Sequence, residues 1–175
     1  MLRRAGHEVI ETCEPTAGPI GRRIREMARS GVEVPGETEL QWFTDDRREH
    51  VRKVIAPSLG RGSVVVTDRY FLSTVAYQGA RGLDAKAILE ASEAEFPLPD
   101  LVLLLEVDPA QGQGRLRARG GEIEGVFERQ AFQEKVAGEF CAIDRAYVAR
   151  IDARGDEDSV AKAVAERVRE TLGLL

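Results

Sequence analysis

The sequence predicts an α/β protein, a parallel sheet covered by helices on both faces. Two observations carry this. Strand-like apolar runs alternate with helical patterns along the whole chain, as in sheets built from β-α-β crossovers. The runs SVVVTD from Ser63 and DLVLLLEVD from Asp100 are apolar almost throughout rather than at every second position, the pattern of strands buried on both sides. At 175 residues the chain is expected to form one domain, long enough to bury a core without disulfides or metals.

The elements follow in order. LRRAG reads as a last helical turn closed by Gly6, and HEVIET as a short strand. After the turn EPTAGP, Ile20, Ile24 and Met27 mark a helix that ends at Gly31. A long helix from Thr38 carries Leu40, Phe43, Val51 and Val54 and is expected to stop at Pro57 and the LGRG turn. After the strand ending at Asp68, helical patterns return in STVAYQ and AKAILEASEAEF, separated by the turn GARGLD. Asp108-Pro109 starts the helix AQGQGRLRAR behind the second apolar strand. Beyond the Gly-rich GGEIEGV come a long helix, the short strand VARIDA and a closing helix over about 158–172. There are no internal repeats or low-complexity linkers.

Composition narrows the function. With 30 acidic against 25 Lys and Arg residues, the net charge of -5 argues against a nucleic-acid scaffold. The longest apolar run, LVLLLEV, is too short to cross a bilayer, so no membrane is expected. Cys13 and Cys141 lie far apart, without metal-site spacing or a CxxC pair. They read as small buried residues, not nucleophiles, in a reduced, cytoplasmic compartment.

In parallel sheets ligands sit at the carboxyl ends of strands, which is where Asp68 and Arg69 fall. The plain alternative is that Asp68 caps the following helix and Arg69 makes a structural ion pair.

The stretch FTDDRREHVRKVIAPSLGRGSVVVTDRYFLSTVAYQGARGLD, 43–84, closely resembles the thymidylate kinase family, in which a helix with an F-x-x-x-R pattern leads into a strand ending D-R-[YFH]-x-x-S-T-x-A-Y-Q-G. The resemblance extends to CEPTAGPIGRRIR upstream, similar to the family's R-E-P-G-G-T-P-I-G. Downstream it covers PDLVLLLEVDP, RLRARGG, FERQAFQEKV and IDA. It implies the P-loop kinase-like fold and transfer of the ATP γ-phosphate to dTMP, giving dTDP, with magnesium. It also implies a homodimer.

Phosphoryl transfer requires charge neutralisation and placement rather than covalent work by the protein. On the resemblance, Asp68 suits magnesium through water, and Arg69 forks onto a pyrimidine carbonyl or a phosphate oxygen. Phe43 would stack on thymine, with Arg47 one turn later on the same face. Ser73, Thr74 and Gln78 would bond the base edge. Tyr77 would pack against C2′ and so favour deoxyribose, and Glu14-Pro15 would shape the acceptor pocket. The alternatives are a core aromatic at Phe43 and a solvated Arg47.

The sequence also departs from the family. It contains no Gly-Lys dipeptide, so the loop G-x-x-x-x-G-K-[ST] that cradles donor phosphates is expected to be missing, with the first, central strand before it. That would leave the edges of the 63–68 and 100–108 strands unpaired or force them together. The arginine before E-P is Cys13, and the lid pattern D-R-F-E reads Gly125-Val126-Phe127-Glu128. Within a lid at about 115–130, Arg115, Arg117 and Arg119 could reach the transferring phosphate, although their alternation stops all three facing one site. With the donor loop missing, phosphate transfer is expected to be impaired while dTMP binding persists; a non-catalytic nucleotide-binding or interaction protein that has lost its donor site, or another nucleoside or nucleotide kinase, stays open beside thymidylate kinase activity.

Overall fold

The computed structural model describes residues 1–118 and 130–174. A single 3-10 turn, Leu2–Ala5, ends at Gly6, whose φ of 94° is open to glycine and strained for other residues. Strand β1, Val9–Cys13, leads through a cis Glu14-Pro15 peptide to α1, Pro19–Ser30. Left-handed Gly31 ends α1 where the sequence places it, and Pro19, read as the last residue of the preceding turn, is instead the first helical residue, a position that suits its missing N–H. Then follow α2 (Gly36–His50), α3 (Ala56–Gly60), β2 (Val64–Asp68), α4 (Phe71–Ala80), α5 (Ala85–Glu95), β3 (Val102–Glu106), α6 (Pro109–Ala118), α7 (Gln130–Ala142), β4 (Val148–Asp152) and α8 (Glu157–Leu172). Asp84 and Asp156 cap α5 and α8 by accepting from the amides of Ala87 and Ser159.

One helix boundary departs from expectation. The segment after α2 does not stop at Pro57; it widens into a π turn at Val51–Ile55 and continues through Pro57 into α3. A proline in the first turn of a new helical stretch loses no hydrogen bond that the stretch needs, and the wide turn in front of it makes room for the ring.

Both pairs of strands are parallel. β1 pairs with β2 in the register Val9↔Val64 to Cys13↔Asp68, and β3 with β4 from Val102↔Val148 to Glu106↔Asp152. Among the described residues β2 and β3 do not pair, so their edges are left apart rather than forced together. Val66 and Leu105, expected to be buried, are 45% and 52% exposed. Among the described residues each sheet is two strands wide, so these two side chains are left partly open to solvent.

The main core joins α4 and α5 to the β3–β4 sheet. Phe71, Leu72, Val75, Ile88, Leu89, Phe96 and Ile143 are buried there, with Val102, Tyr147 and Val148 packed against them. Burying such side chains contributes about 1.5–3 kcal/mol each. Glu93 of α5 ties this layer to the entry of β4, accepting from Arg145 at 2.7 Å and from the Tyr147 hydroxyl at 2.6 Å. α1 packs on α2, with the Arg23 guanidinium 3.9 Å over the Trp42 ring.

Both cysteines are exposed, contrary to expectation. Cys13 takes the outward position of the strand alternation, next to inward-facing Glu14, and Cys141 sits in the last turn of α7. No helix among the described residues is long and apolar enough to cross a membrane.

Candidate active site

The register of β1 on β2 brings two sequence motifs side by side. Cys13 lies opposite Asp68, and the Glu14 amide donates to the Asp68 carbonyl at 3.0 Å, so the E-P turn and the D-R-Y turn leave the sheet together at its carboxyl end. Helix α2 grips this end. Thr12 on β1, and Glu14 and Thr16 in the turn after it, each hydrogen-bond to it. The Thr12 hydroxyl meets His50 Nε2 at 2.7 Å, and His50 Nδ1 meets Glu14 Oε1 at 2.9 Å. Arg47 Nε donates to Glu14 Oε2 at 2.9 Å, and Asp46 accepts from both the amide and the hydroxyl of Thr16 at 2.7 and 2.6 Å. Gly21 permits the approach of α1 to the same turn, since a Cβ there would lie 2.0 Å from the Thr16 carbonyl oxygen.

Arg47 is therefore neither solvated nor lodged in an apolar core. Only 1% exposed, it donates through Nη2 to the Thr74 hydroxyl at 2.8 Å, and its guanidinium carbon lies 5.4 and 5.5 Å from the Tyr70 and Phe96 ring centres. Glu14, Arg47, His50 and Thr74 form one buried network from β1 across α2 to α4. The four buried residues of α2 are Glu39, Asp46, Arg47 and His50, all ionisable, while its Leu40 is partly buried against the core.

A second cross-link joins the same helices. Gln78 Nε2 donates to Glu39 Oε1 at 2.7 Å, and Arg81 Nη1 donates to Glu39 Oε2 at 2.5 Å. Burial raises the Glu39 pKa above the ordinary carboxylate value, with the Gln78 bond and the Arg81 charge opposing it. Phe43, half-buried, lies on α2 between Glu39 and Arg47 at helical spacing.

The remaining candidates fall around this network. Asp68 is exposed and does not cap α4, whose N-terminal cap Tyr70 makes no side-chain cap bond. Arg69 is exposed and, with φ of 67°, is the one positive-φ non-glycine residue among those described; its guanidinium lies 5.2 Å from the Tyr77 ring centre. Strained backbone at a strand end is found at ligand sites. Tyr77 is half-buried and meets the Phe132 ring of α7 edge-on at 6.0 Å. Pro15 and Ser73 are half-buried. Arg115 donates to the carbonyls of Ala153, Arg154 and Gly155. The Arg117 side chain, Arg119 and the stretch 119–129 of the expected lid lie outside the described residues.

The structure thus gathers Glu14, Arg47, Thr74 and Gln78 and leaves Asp68 and Arg69 exposed beside them. Glu39, Asp46, His50 and Arg81 were not legible as members of this site. The available signal was their spacing: polar residues at 39, 46, 47 and 50 occupy the side of α2 where an apolar stripe belongs.

The family model described as thymidylate kinase matches residues 1–164. The chain is 39% identical over 171 residues to a thymidylate kinase of Desulfotalea psychrophila, with 98% of this chain and 84% of that protein covered. It is 42% identical over 177 residues to one of Xanthomonas campestris pv. campestris, covering 97% and 77%. To one of Akkermansia muciniphila it is 40% identical over 167 residues, covering 95% and 78%.

Proposed function

The chain belongs to the thymidylate kinase family, and from that premise we propose that it transfers the γ-phosphate of ATP to dTMP at the carboxyl end of the β1–β2 sheet. The observation that carries the placement is the convergence of the E-P turn, the D-R-Y turn and the buried Arg47 on one strand end. Membership favours dTMP phosphorylation over a purely non-catalytic role.

In this reading the protein supplies position and charge. Phe43 provides a face for thymine, and Arg47, Thr74 and Gln78 provide polar groups at its edge. Because these three are buried, base binding has to open space beside them. Arg69 offers a fork to a phosphate or carbonyl oxygen. Tyr77, braced by Phe132, stands against the sugar.

Asp68 fits magnesium. Among the described residues no three His, Cys, Asp or Glu side chains gather to hold a metal, but a magnesium ion carried by phosphates keeps several waters and needs only one or two carboxylates. Asp68 is exposed and lies at the strand end. When bound there, magnesium would neutralise phosphate charge. A homodimer and a cytoplasmic location belong to the same proposal.

The test is saturable calorimetric binding of dTMP by the folded protein, together with magnesium-dependent transfer of the labelled γ-phosphate of ATP to dTMP, giving labelled dTDP. Failure of the folded protein to bind dTMP at millimolar concentration overturns the reading.

A further inference from the structure

Gln78 is 0% exposed, and while its Nε2 is spent on Glu39, its Oε1 is buried without a hydrogen-bond partner among the described residues. Buried polar atoms are nearly always paired, so this acceptor needs an explanation. Its orientation has a chemical cause. Glu39 is held by Arg81, which itself is anchored on the Val34 carbonyl at 2.9 Å. A carboxylate paired in this way only accepts hydrogen bonds, so the amide facing it must present its NH2. The opposite orientation would set the amide oxygen against the carboxylate. The Gln78 carbonyl is therefore turned away from Glu39.

The pair is placed where a base would be read. Gln78 follows Thr74 by one turn of α4, Glu39 precedes Phe43 by one turn of α2, and Arg47 follows it by another. On α2 the anchors of the bonds Glu39–Gln78 and Arg47–Thr74 lie one turn before and one turn after half-buried Phe43.

We propose that Glu39 is a positioning residue for base specificity: it fixes the Gln78 amide so that Oε1 is presented as the acceptor for a ring N–H of the acceptor nucleotide. The proposal rests on the reading of the protein as a dTMP kinase and deepens it. Thymine and uracil carry a hydrogen on N3 and satisfy this acceptor. Cytosine has a lone pair at N3 and would face it acceptor to acceptor. The device separates N3–H pyrimidines from cytosine and leaves the thymine methyl to be read elsewhere.

The experiment is calorimetric titration of dTMP, dUMP and dCMP into the parent chain, Glu39→Gln and Gln78→Met. In Glu39→Gln the residue at 39 can donate as well as accept, so the Gln78 amide is free to turn. The preference for dTMP over dCMP is expected to fall roughly tenfold or more, with dUMP following dTMP. Gln78→Met is expected to lose the same preference, and Glu39→Gln added to it should change the ratio no further. Loss of affinity for dTMP and dCMP by one common factor in Glu39→Gln would mean a structural role only and would overturn the inference. If Glu39→Gln does not fold, an unchanged dTMP to dCMP ratio in Gln78→Met overturns it alone. A parent that binds dTMP and dCMP equally removes the inference and leaves the kinase reading standing, whereas a folded parent that binds no dTMP removes both.

Discussion

Glu14 and Arg47 form an ion pair at 2.8 Å with side chains only 4% and 2% exposed. The pair joins the end of β1 to α2. Removing one member of a buried pair leaves the other charge without compensation, which typically costs about 3–5 kcal/mol. Arg47→Met and Glu14→Gln are each expected to destabilise the fold on that scale, the glutamine less because it still accepts from Arg47. The double variant should be more stable than the sum of the two predicts. Urea denaturation of the four proteins measures this, and strict additivity would contradict the coupling.

Asp68 makes no cap bond and is exposed, so Asp68→Asn should change stability by less than about 0.5 kcal/mol. If it serves the transferring phosphate, turnover in a chain that carries the G-x-x-x-x-G-K-[ST] loop should fall by orders of magnitude while dTMP binding persists, as expected of an interaction used mainly in the transition state. Initial rates normalised to the folded fraction, with calorimetry, separate these outcomes. Unchanged turnover would remove Asp68 from the site.

Arg69 holds a left-handed backbone that costs a non-glycine residue roughly 1–2 kcal/mol. Arg69→Gly should therefore be more stable than Arg69→Ala by about 1 kcal/mol, although both lose the guanidinium and should bind dTMP equally weakly. Thermal melts and calorimetry on the two variants provide the comparison.

Tyr77 and Phe43 should separate sugar selection from stacking. Tyr77→Ala is expected to narrow the preference for dTMP over its ribose counterpart. Phe43→Ala should weaken both nucleotides by a similar factor, on the order of 1–3 kcal/mol for a lost aromatic stack. Equal weakening by Tyr77→Ala would reassign Tyr77 to packing against Phe132.

Glu93 gives the fold an acid-sensitive tie. Hydrogen bonds from Arg145 chiefly, and from Tyr147, hold its pKa below the ordinary 4.5 despite partial burial. Its stabilisation is complete above that ordinary value and is lost as pH falls through the depressed folded value. Glu39 has the opposite sign: its raised folded pKa makes its contribution largest in acid and smaller as pH rises through that value. Glu93→Gln should flatten the loss of stability below about pH 4.5. Denaturant melts from pH 6 to 3 test this, and parallel curves for parent and variant would argue against it.

Several features were determined by the sequence itself. Gly31 ends α1, Pro109 opens α6, and the apolar runs became β2 and β3 because these signals act within a few residues. The D-R-Y to Y-Q-G block likewise located a strand end and the helix after it. Tertiary structure alone decided who pairs with whom. Thr12 meets His50, Thr16 meets Asp46 and Glu39 meets Gln78 across 30 to 39 positions. No local pattern encodes those meetings, which depend on where α2 crosses β1 and α4. The same holds for exposed Val66, Leu105 and Cys13, since the burial of a strand residue is set by what lies over and beside the sheet. Pro57 shows the reverse limit of local reading: a π turn before it let the helix continue where proline chemistry by itself predicts a stop.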